Sequence, residues 1–164
     1  VNHMNDKKEK QRSGTCYCEA VKVVVTGKPL STSICHCSIC QRLSGGPFGI
    51  QSLHRQSDVF VNTPQDELWS IQTSKNVTRY RCKDCGSPVY ATLSGGKVFV
   101  VPRTILFQNQ NVDDNSMGGD DDDEDYRPTH HMYYASRVID VNDDLEKYVG
   151  SSNSGQRVLW KKQN

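Results

Sequence analysis

The distribution of the cysteines constrains this chain more than any other feature of its sequence. All seven lie in three short clusters, and none stands outside them. The clusters are Cys16-Tyr-Cys18, Cys35-His-Cys37-Ser-Ile-Cys40 and Cys82-Lys-Asp-Cys85. An odd number of cysteines argues against a simple disulfide framework, and clustered cysteines in a reducing compartment more often bind metal or act in catalysis. The pattern therefore predicts metal sites.

Two of the clusters together supply four sulfur donors, the number found in a closed zinc site. In an extended segment residues i and i+2 point to the same side, so Cys16 and Cys18 can hold one ion from one strand. A tight turn brings Cys82 and Cys85 together, and Gly86 supplies the permissive backbone that such a turn needs. Four thiolates form a tetrahedral zinc site of the structural type. We expect this ion to tie the first strand to a late hairpin.

The remaining cluster has only three sulfurs, those of Cys35, Cys37 and Cys40. Zinc prefers four ligands, and three protein ligands with one exchangeable position are typical of catalytic zinc. His36 lies between two cysteines that point to the same side, so we expect it to point away and to pack or hydrogen-bond instead. The alternative is a second structural zinc that some other side chain closes.

Other readings of these residues are weaker. His130 and His131 are neighbours in a predicted strand, so at most one of them faces a given site, and we interpret both as surface or core histidines. A redox dithiol is disfavoured, because no Cys-x-x-Cys motif is predicted to open a helix after a strand in a βαβ unit.

The composition explains why metal would be needed. Hydrophobic residues make up 35% of the chain, and the mean hydropathy is −0.68. A small polar chain buries a smaller fraction of its surface than a large one does, so apolar burial alone gives a thin core. Because metal-binding free energy becomes folding free energy, a structural zinc would compensate for that core.

The pattern of apolar residues predicts a mainly β protein. Short alternating or β-branched runs are separated by Gly, Pro, Ser and Asn, which is typical of a meandering antiparallel sheet. Residues 94–96, Ser-Gly-Gly, are predicted to form a hairpin turn. We also predict a strand over residues 130–141 and a single helical turn over 143–148. The remaining predicted strands are 20–26, 58–61, 68–71, 77–81, 88–93 and 97–101.

The chain is predicted to form one domain over residues 14–150, between a disordered tail at 1–13 and a polar tail at 151–164. Residues 112–125 contain eight acidic side chains and no Lys or Arg, which predicts a solvated loop inserted in that domain. The net charge of +1 is too small to indicate a nucleic-acid partner. The polar N-terminus and the lack of an apolar run of about 20 residues lead us to expect a cytoplasmic protein without membrane contact.

These motifs resemble the glutathione-dependent formaldehyde-activating enzyme family, which also includes centromere protein V. The matching segments begin with Gly14-Thr-Cys-Tyr-Cys18 and end with a closing motif at residues 143–150. Between them lie Gly27-Lys-Pro29, the Cys35-His-Cys-Ser-Ile-Cys-Gln-Arg42 segment followed by Gly45, Arg81-Cys-Lys-Asp-Cys-Gly-Ser87 and His131-Met-Tyr-Tyr-Ala-Ser-Arg137.

The resemblance implies a β-tent fold of short antiparallel sheets around zinc sites, similar to methionine sulfoxide reductase B. It implies that Cys16, Cys18, Cys82 and Cys85 hold a structural zinc and that the family's reactive zinc falls on Cys35, Cys37 and Cys40. The implied reaction is addition of glutathione to formaldehyde, formally a carbon–sulfur lyase in reverse. Arg42 is a candidate partner for a glutathione carboxylate or, alternatively, a surface charge. The competing hypothesis is a non-enzymatic zinc module that binds a protein or chromatin partner.

Overall fold

The computed structural model describes residues 10–107 and 124–159, and in these two ranges the chain is mainly β. Within these ranges, eleven strands and two short helices alternate with turns and 3-10 segments. The helices are α1, Ser38–Ser44, and α2, Arg103–Leu106. The strands are β1 Gln11–Thr15, β2 Lys22–Thr26, β3 Ser31–Cys35, β4 Gly49–Arg55, β5 Val59–Val61, β6 Trp69–Ser74, β7 Val77–Arg81, β8 Pro88–Leu93, β9 Val98–Pro102, β10 His130–Met132 and β11 Glu146–Lys147.

The described strands form two sheets. The smaller has the order β1-β2-β5, and the larger has the order β11-β10-β3-β4-β9-β8-β7-β6. Most pairs are antiparallel, as the turn spacing predicts, but β10 pairs in parallel with both β3 and β11. A parallel pair requires a long connection, and nearly a hundred residues separate β3 from β10. The purely antiparallel expectation is therefore wrong at this edge.

One buried cluster contains side chains from both sheets. Val23 and Val25 of β2 are fully buried in it, together with Val101 of β9. Aromatic rings continue the cluster along the larger sheet, where Tyr90 stacks on Tyr80 and on Phe99, with ring centroids 4.6 and 4.7 Å apart. The β-branched and aromatic side chains that predict the strands thus also supply the core.

The short helix α1 follows directly from its flanking residues. The side chain of Cys37 caps its first turn by accepting a hydrogen bond from the backbone N–H of Cys40. Gly45 ends the helix with a φ of 70°, a left-handed conformation that glycine adopts without steric cost. The helix therefore occupies only the connection between β3 and β4, and its first turn carries cysteines of the second cluster.

The last part of the domain differs from the sequence prediction. The strand predicted over residues 130–141 ends at Met132, because Tyr133 turns the chain with a φ of 54° into a 3-10 segment. The helical turn predicted over 143–148 is absent, and β11 pairs with β10 there instead. The Asp143 carboxylate accepts from the backbone N–H of Leu145 in a local turn, which competes with helix formation.

Other boundaries fall close to prediction. The predicted turn at 94–96 joins β8 to β9 as a 3-10 segment. The sheet begins at Gln11, inside the predicted N-terminal tail. Most of the predicted acidic loop lies outside the described residues, except that Glu124 and Asp125 start a 3-10 turn and Asp125 pairs with Lys28 at 2.9 Å. Of the predicted C-terminal tail, residues 151–159 are described.

No helix in the described ranges is long and apolar enough to cross a membrane.

Candidate metal centres

The first centre consists of Cys16, Cys18, Cys82 and Cys85. Cys16 and Cys18 lie in the turn between β1 and β2, just after the strand ends, so the prediction of an extended segment is wrong. Cys82 and Cys85 lie in the β7–β8 turn, as predicted. The centre thus joins a turn of the smaller sheet to a turn of the larger one.

The spacing of the sulfurs fits a tetrahedral ion. The Sγ atoms of Cys16 and Cys18 are 3.5 Å apart, and those of Cys18 and Cys82 are 3.7 Å apart. A tetrahedron with Zn–S bonds of about 2.3 Å has sulfur–sulfur edges of about 3.8 Å. All four sulfurs lie within 4.8 Å of one another, and all seven cysteines of the chain are free thiols. This donor set is therefore suited to Zn²⁺.

Hydrogen bonds hold the two turns of the first centre in place. Gly86 has a φ of 74°, and its N–H bonds the carbonyl of Cys82 at 3.0 Å, closing the second turn. Ser87 Oγ accepts from the backbone N–H of Tyr17 and lies 3.2 Å from Cys85 Sγ. The hydrogen bond with this hydroxyl lowers the pKa of Cys85 to about 5, which favours the thiolate that binds metal.

The second centre consists of Cys35, Cys37 and Cys40, whose sulfurs also lie within 4.8 Å of one another. Cys35 is the last residue of β3, Cys37 caps α1 and Cys40 lies in its first turn. The motif from Cys37 to Cys40 therefore opens a helix after a strand. Because β4 runs antiparallel to β3, this unit is still not a βαβ crossover.

The three thiols of the second centre differ in pKa and in exposure to solvent. Hydrogen bonding from Cys35 and Cys40 lowers the pKa of Cys37 well below its usual range, whereas the same contact with Cys37 raises the pKa of Cys35. Cys35 and Cys40 are buried, and Cys37 is only half-buried. Negative charge thus concentrates on the sulfur that solvent reaches most easily.

Arg79 of β7 also contacts this centre. Its guanidinium donates to Cys40 Sγ at 3.5 Å and to Thr73 Oγ1 at 3.3 Å. Three thiolates around one divalent cation carry a net charge of −1, so a guanidinium beside them offsets that charge. In the sequence Arg79 is one arginine in a polar strand, and no local pattern marks it as part of a site.

A row of hydrogen-bonded polar groups, three of them buried, lies beside the second centre. His36 is fully buried, as expected of a non-ligand, and its Nε2 lies 2.8 Å from Nδ1 of His131. His131 Nε2 lies 2.8 Å from Asp143 Oδ2, and Lys147 donates to Asp143 Oδ1 at 2.5 Å. Burial, and after it the neighbouring His131, lowers the pKa of His36 to about 4, so both ends of the histidine pair stay neutral near pH 7. These hydrogen-bonded side chains anchor β10 and β11 beside the cysteines.

The match to a family model covers residues 11–136, well over half of the chain, and that model describes the glutathione-dependent formaldehyde-activating enzymes. The chain belongs to this family. The resemblance drawn from the cysteine motifs is thereby confirmed, and both centres lie inside the matched range.

Two curated relatives and one solved structure are distantly similar to this chain. A protein of Podospora anserina that carries the provisional name of a glutathione-dependent formaldehyde-activating enzyme is 30% identical over 46% of this chain and 36% of its own length. An "uncharacterized lyase" of Schizosaccharomyces pombe is 27% identical over 51% of this chain and 59% of its own length. The crystal structure of a Rhodobacter sphaeroides protein matches with a TM-score of 0.45 and 24% identity, over 57% of this chain and 86% of that one. The chain thus spans between about a third and three fifths of these two curated relatives.

The remaining predicted site residue, Arg42, lies exposed on α1, where its Nε donates to the carbonyl of Ser38 at 3.2 Å. It borders a groove on the surface between α1 and the β7–β8 turn. Arg81 of β7 lines the same groove and was not predicted as a functional residue.

Proposed function

We propose that this chain holds two zinc ions and adds a thiol such as glutathione to a small aldehyde such as formaldehyde. The first centre holds a structural ion, and the second holds an ion with one open coordination position. The reaction belongs with the carbon–sulfur lyases run in the direction of addition. One observation carries the proposal: the second centre has three sulfurs, and in the described part of the chain no fourth His, Cys, Asp or Glu donor joins them.

Zinc at the second centre would supply positive charge that lowers the pKa of a coordinated thiol from about 8.5, so that the thiolate exists at neutral pH. The thiolate sulfur attacks the carbonyl carbon of the aldehyde, and a carbon–sulfur bond forms as the carbonyl π bond breaks. The electron pair moves to oxygen, which takes up the proton that the thiol lost. The product, an S-(hydroxymethyl) thiol, contains all the atoms of the two reactants.

Two features of the second centre support this chemistry. The half-buried Cys37 is the sulfur best placed to move aside when a substrate sulfur arrives, because Cys35 and Cys40 are held in the interior. The guanidinium of Arg79 beside Cys40 offsets the negative charge that a further thiolate adds. Family membership supports glutathione and formaldehyde as the substrate pair, and the name of the S. pombe relative supports a lyase.

The test combines metal content with the reaction itself. The full chain should contain two zinc ions by elemental analysis, bind glutathione in calorimetric titration and form S-(hydroxymethyl)glutathione from ¹³C-formaldehyde faster than buffer does. In Cys37→Ser we expect one remaining zinc, unchanged circular dichroism and a rate equal to that of buffer. The zinc kept at the first centre is the internal control for an intact fold.

Two zinc ions without any thiol binding would overturn the proposal. That result would favour the competing hypothesis, a non-enzymatic zinc module with a protein or chromatin partner. A Cys37→Ser variant that still accelerates the reaction would contradict the assignment of the second centre as the reactive one.

A further inference from the structure

His36 is the one residue between Cys35 and Cys37, so the contacts that fix His36 also fix the backbone that carries these two sulfurs. Strand β10 holds it at two points. The His36 backbone N–H donates to the carbonyl of Met132 at 2.9 Å, and its Nε2 lies 2.8 Å from Nδ1 of His131. Both rings are fully buried. A strand 95 residues away in the sequence therefore sets the position of a residue inside the metal-binding motif.

A third contact comes from α1. Gln41 Nε2 donates to the backbone carbonyl of His36 at 2.7 Å and to that of Ser136 at 2.9 Å. This side-chain amide ties the cysteine motif to the turn that follows β10. His36 is thus held by its N–H, its carbonyl and its ring, and all three contacts lead to residues 131–136.

Asp143 is the acceptor at the far end of this row. Its Oδ1 accepts from Lys147 Nζ at 2.5 Å and from the backbone N–H of Leu145 at 3.2 Å, and its Oδ2 lies 2.8 Å from His131 Nε2. Burial opposes ionisation of this group, but the hydrogen bonds from Lys147 and His131 outweigh burial and lower the pKa of Asp143 below its usual range. Asp143 is therefore a carboxylate at neutral pH and can only accept hydrogen bonds.

An obligatory acceptor at this end determines the tautomers of both histidines. Full burial disfavours charge on either ring, and a neutral imidazole has one N–H and one bare nitrogen. His131 must carry its proton on Nε2 to donate to Asp143, so its Nδ1 is bare and accepts from Nε2–H of His36. The Nδ1 of His36 is then bare as well, and it has no hydrogen-bond partner among the described residues.

We propose that Asp143 and Lys147 are positioning residues of the second centre. Asp143 fixes the proton of His131, and through it the tautomer and orientation of His36, so that the sulfurs on either side of His36 keep the spacing that one ion needs. Lys147 holds the carboxylate in place. This inference rests on metal binding in the proposed function and adds two residues to that site. Replacing groups that orient metal ligands through hydrogen bonds commonly lowers metal affinity or activity by about 10- to 100-fold.

Asp143→Asn reverses the direction of these hydrogen bonds without a change of size. The remaining oxygen keeps the two donors of Asp143 Oδ1, so the new amide N–H takes the place of Oδ2 and donates to His131 Nε2. The proton of His131 then moves to its Nδ1, which donates to His36, and the proton of His36 moves to Nδ1 as well. Asp140→Asn is the matched control, because it removes an exposed carboxylate, paired with Arg137, from the same loop between β10 and β11.

Three measurements on the full chain test the proposal. Long-range ¹H–¹⁵N NMR of the zinc-loaded chain identifies the bare nitrogen of each histidine ring. Competition with a chelator gives the zinc affinity of the second centre. The visible spectrum of the Co²⁺-loaded chain, after subtraction of the spectrum of Cys37→Ser, reports the geometry of that centre.

In the parent chain we expect the proton on Nε2 of both His36 and His131. In Asp143→Asn we expect both protons on Nδ1, a zinc affinity of the second centre about tenfold weaker and a changed Co²⁺ spectrum. Lys147→Met should weaken the same affinity but keep the parent tautomers, because the carboxylate is still present to accept from His131. Asp140→Asn should match the parent chain in all three measurements.

The outcomes distinguish failure of this inference from failure of the proposed function. A proton on Nδ1 of His36 or His131 in the parent chain overturns the inference without any variant. An Asp143→Asn chain with the parent zinc affinity and Co²⁺ spectrum overturns it too, and the proposed function stands in both cases. An equal loss of zinc from both centres in Asp143→Asn shows general loss of the fold and overturns a role specific to the second centre.

The opposite combination is equally clear. A parent chain with the expected tautomers, whose second-centre affinity falls in Asp143→Asn but which forms no S-(hydroxymethyl)glutathione, confirms the positioning role and overturns the proposed reaction.

Discussion

His54, in the middle of β4, is a fully buried side chain that belongs to neither centre. Its Nε2 lies 2.9 Å from Ser52 Oγ, and its Nδ1 has no hydrogen-bond partner among the described residues. Burial removes the ring from water and lowers the pKa of His54 to about 4, against 6.5 for an ordinary histidine. The folded protein therefore holds this ring neutral at pH 5, where the unfolded chain protonates it.

This difference predicts a pH-dependent stability. Between pH 6.5 and about 4 the unfolded state binds the additional proton, so the free energy of unfolding falls as the pH is lowered. His54→Gln has no proton to bind in either state. From pH 7 to pH 5, in excess zinc, we expect the parent chain to lose about 2 kcal/mol more of its unfolding free energy than the variant does. Urea unfolding at both pH values measures the difference, and parallel pH curves for the two proteins would contradict the prediction.

Among the elements, β1 depends on one glycine for its position. A Cβ built on Gly14 would lie 1.5 Å from the carbonyl oxygen of Ile105 in α2, and that oxygen is backbone that cannot swing away. We predict that Gly14→Ala destabilises the protein by about 3 kcal/mol, because β1 and α2 must separate. Thermal unfolding of the zinc-loaded chain should show a clearly lower Tm.

Gly46→Ala is the matched control. A Cβ at Gly46 would have no neighbour nearer than 3.6 Å, and its φ is not in the left-handed region. We expect its Tm to stay close to that of the parent chain. Equal melting temperatures for Gly14→Ala and Gly46→Ala would show that β1 and α2 do not meet as described.

Two of the strands that the sequence pattern missed, β3 and β4, contain buried polar residues. β3 contains Thr32 and Ser33, both buried, and β4 contains Ser52 and His54, both fully buried. Alternation of apolar and polar residues marks a strand only when one face is apolar, so neither segment was predicted. The six runs rich in β-branched and aromatic residues were predicted within a few residues of their observed ends.

The cysteine centres were predictable for a different reason. Ligands that lie within a few residues of one another, such as Cys37 and Cys40, can be recognised from the local sequence. Because zinc needs four ligands, two distant clusters of two cysteines each are then expected to bind one ion together. Arg79 and Asp143 could not be found in this way. Each is a single polar residue whose partner comes from tertiary packing: β7 against α1 for the first, and the parallel β3–β10–β11 edge for the second.

At the scale of the whole molecule, the first centre joins the two sheets. Cys16 and Cys18 follow β1 of the smaller sheet, and Cys82 and Cys85 follow β7 of the larger. A structural zinc site contributes about 10–16 kcal/mol near pH 7, and a domain of this size is stable by about 5–15 kcal/mol in total. If the first centre holds zinc as proposed, loss of that ion would cost about as much free energy as the whole net stability of the fold.

The two centres should accordingly respond in opposite ways to loss of a ligand. Cys18→Ser leaves three sulfurs at the junction of the sheets, and we expect it to unfold at 25 °C or to retain only weak far-UV β signal. We expect the same of the parent chain after complete chelation. Cys37→Ser keeps all four ligands at the junction, so it should lose one zinc, stay folded and unfold at a urea midpoint within about 1 M of the parent value. Zinc content, circular dichroism and urea titration of the two variants measure this contrast. A chain that stays fully folded after both ions are removed would contradict it, because the hydrophobic cluster alone would then hold the sheets together.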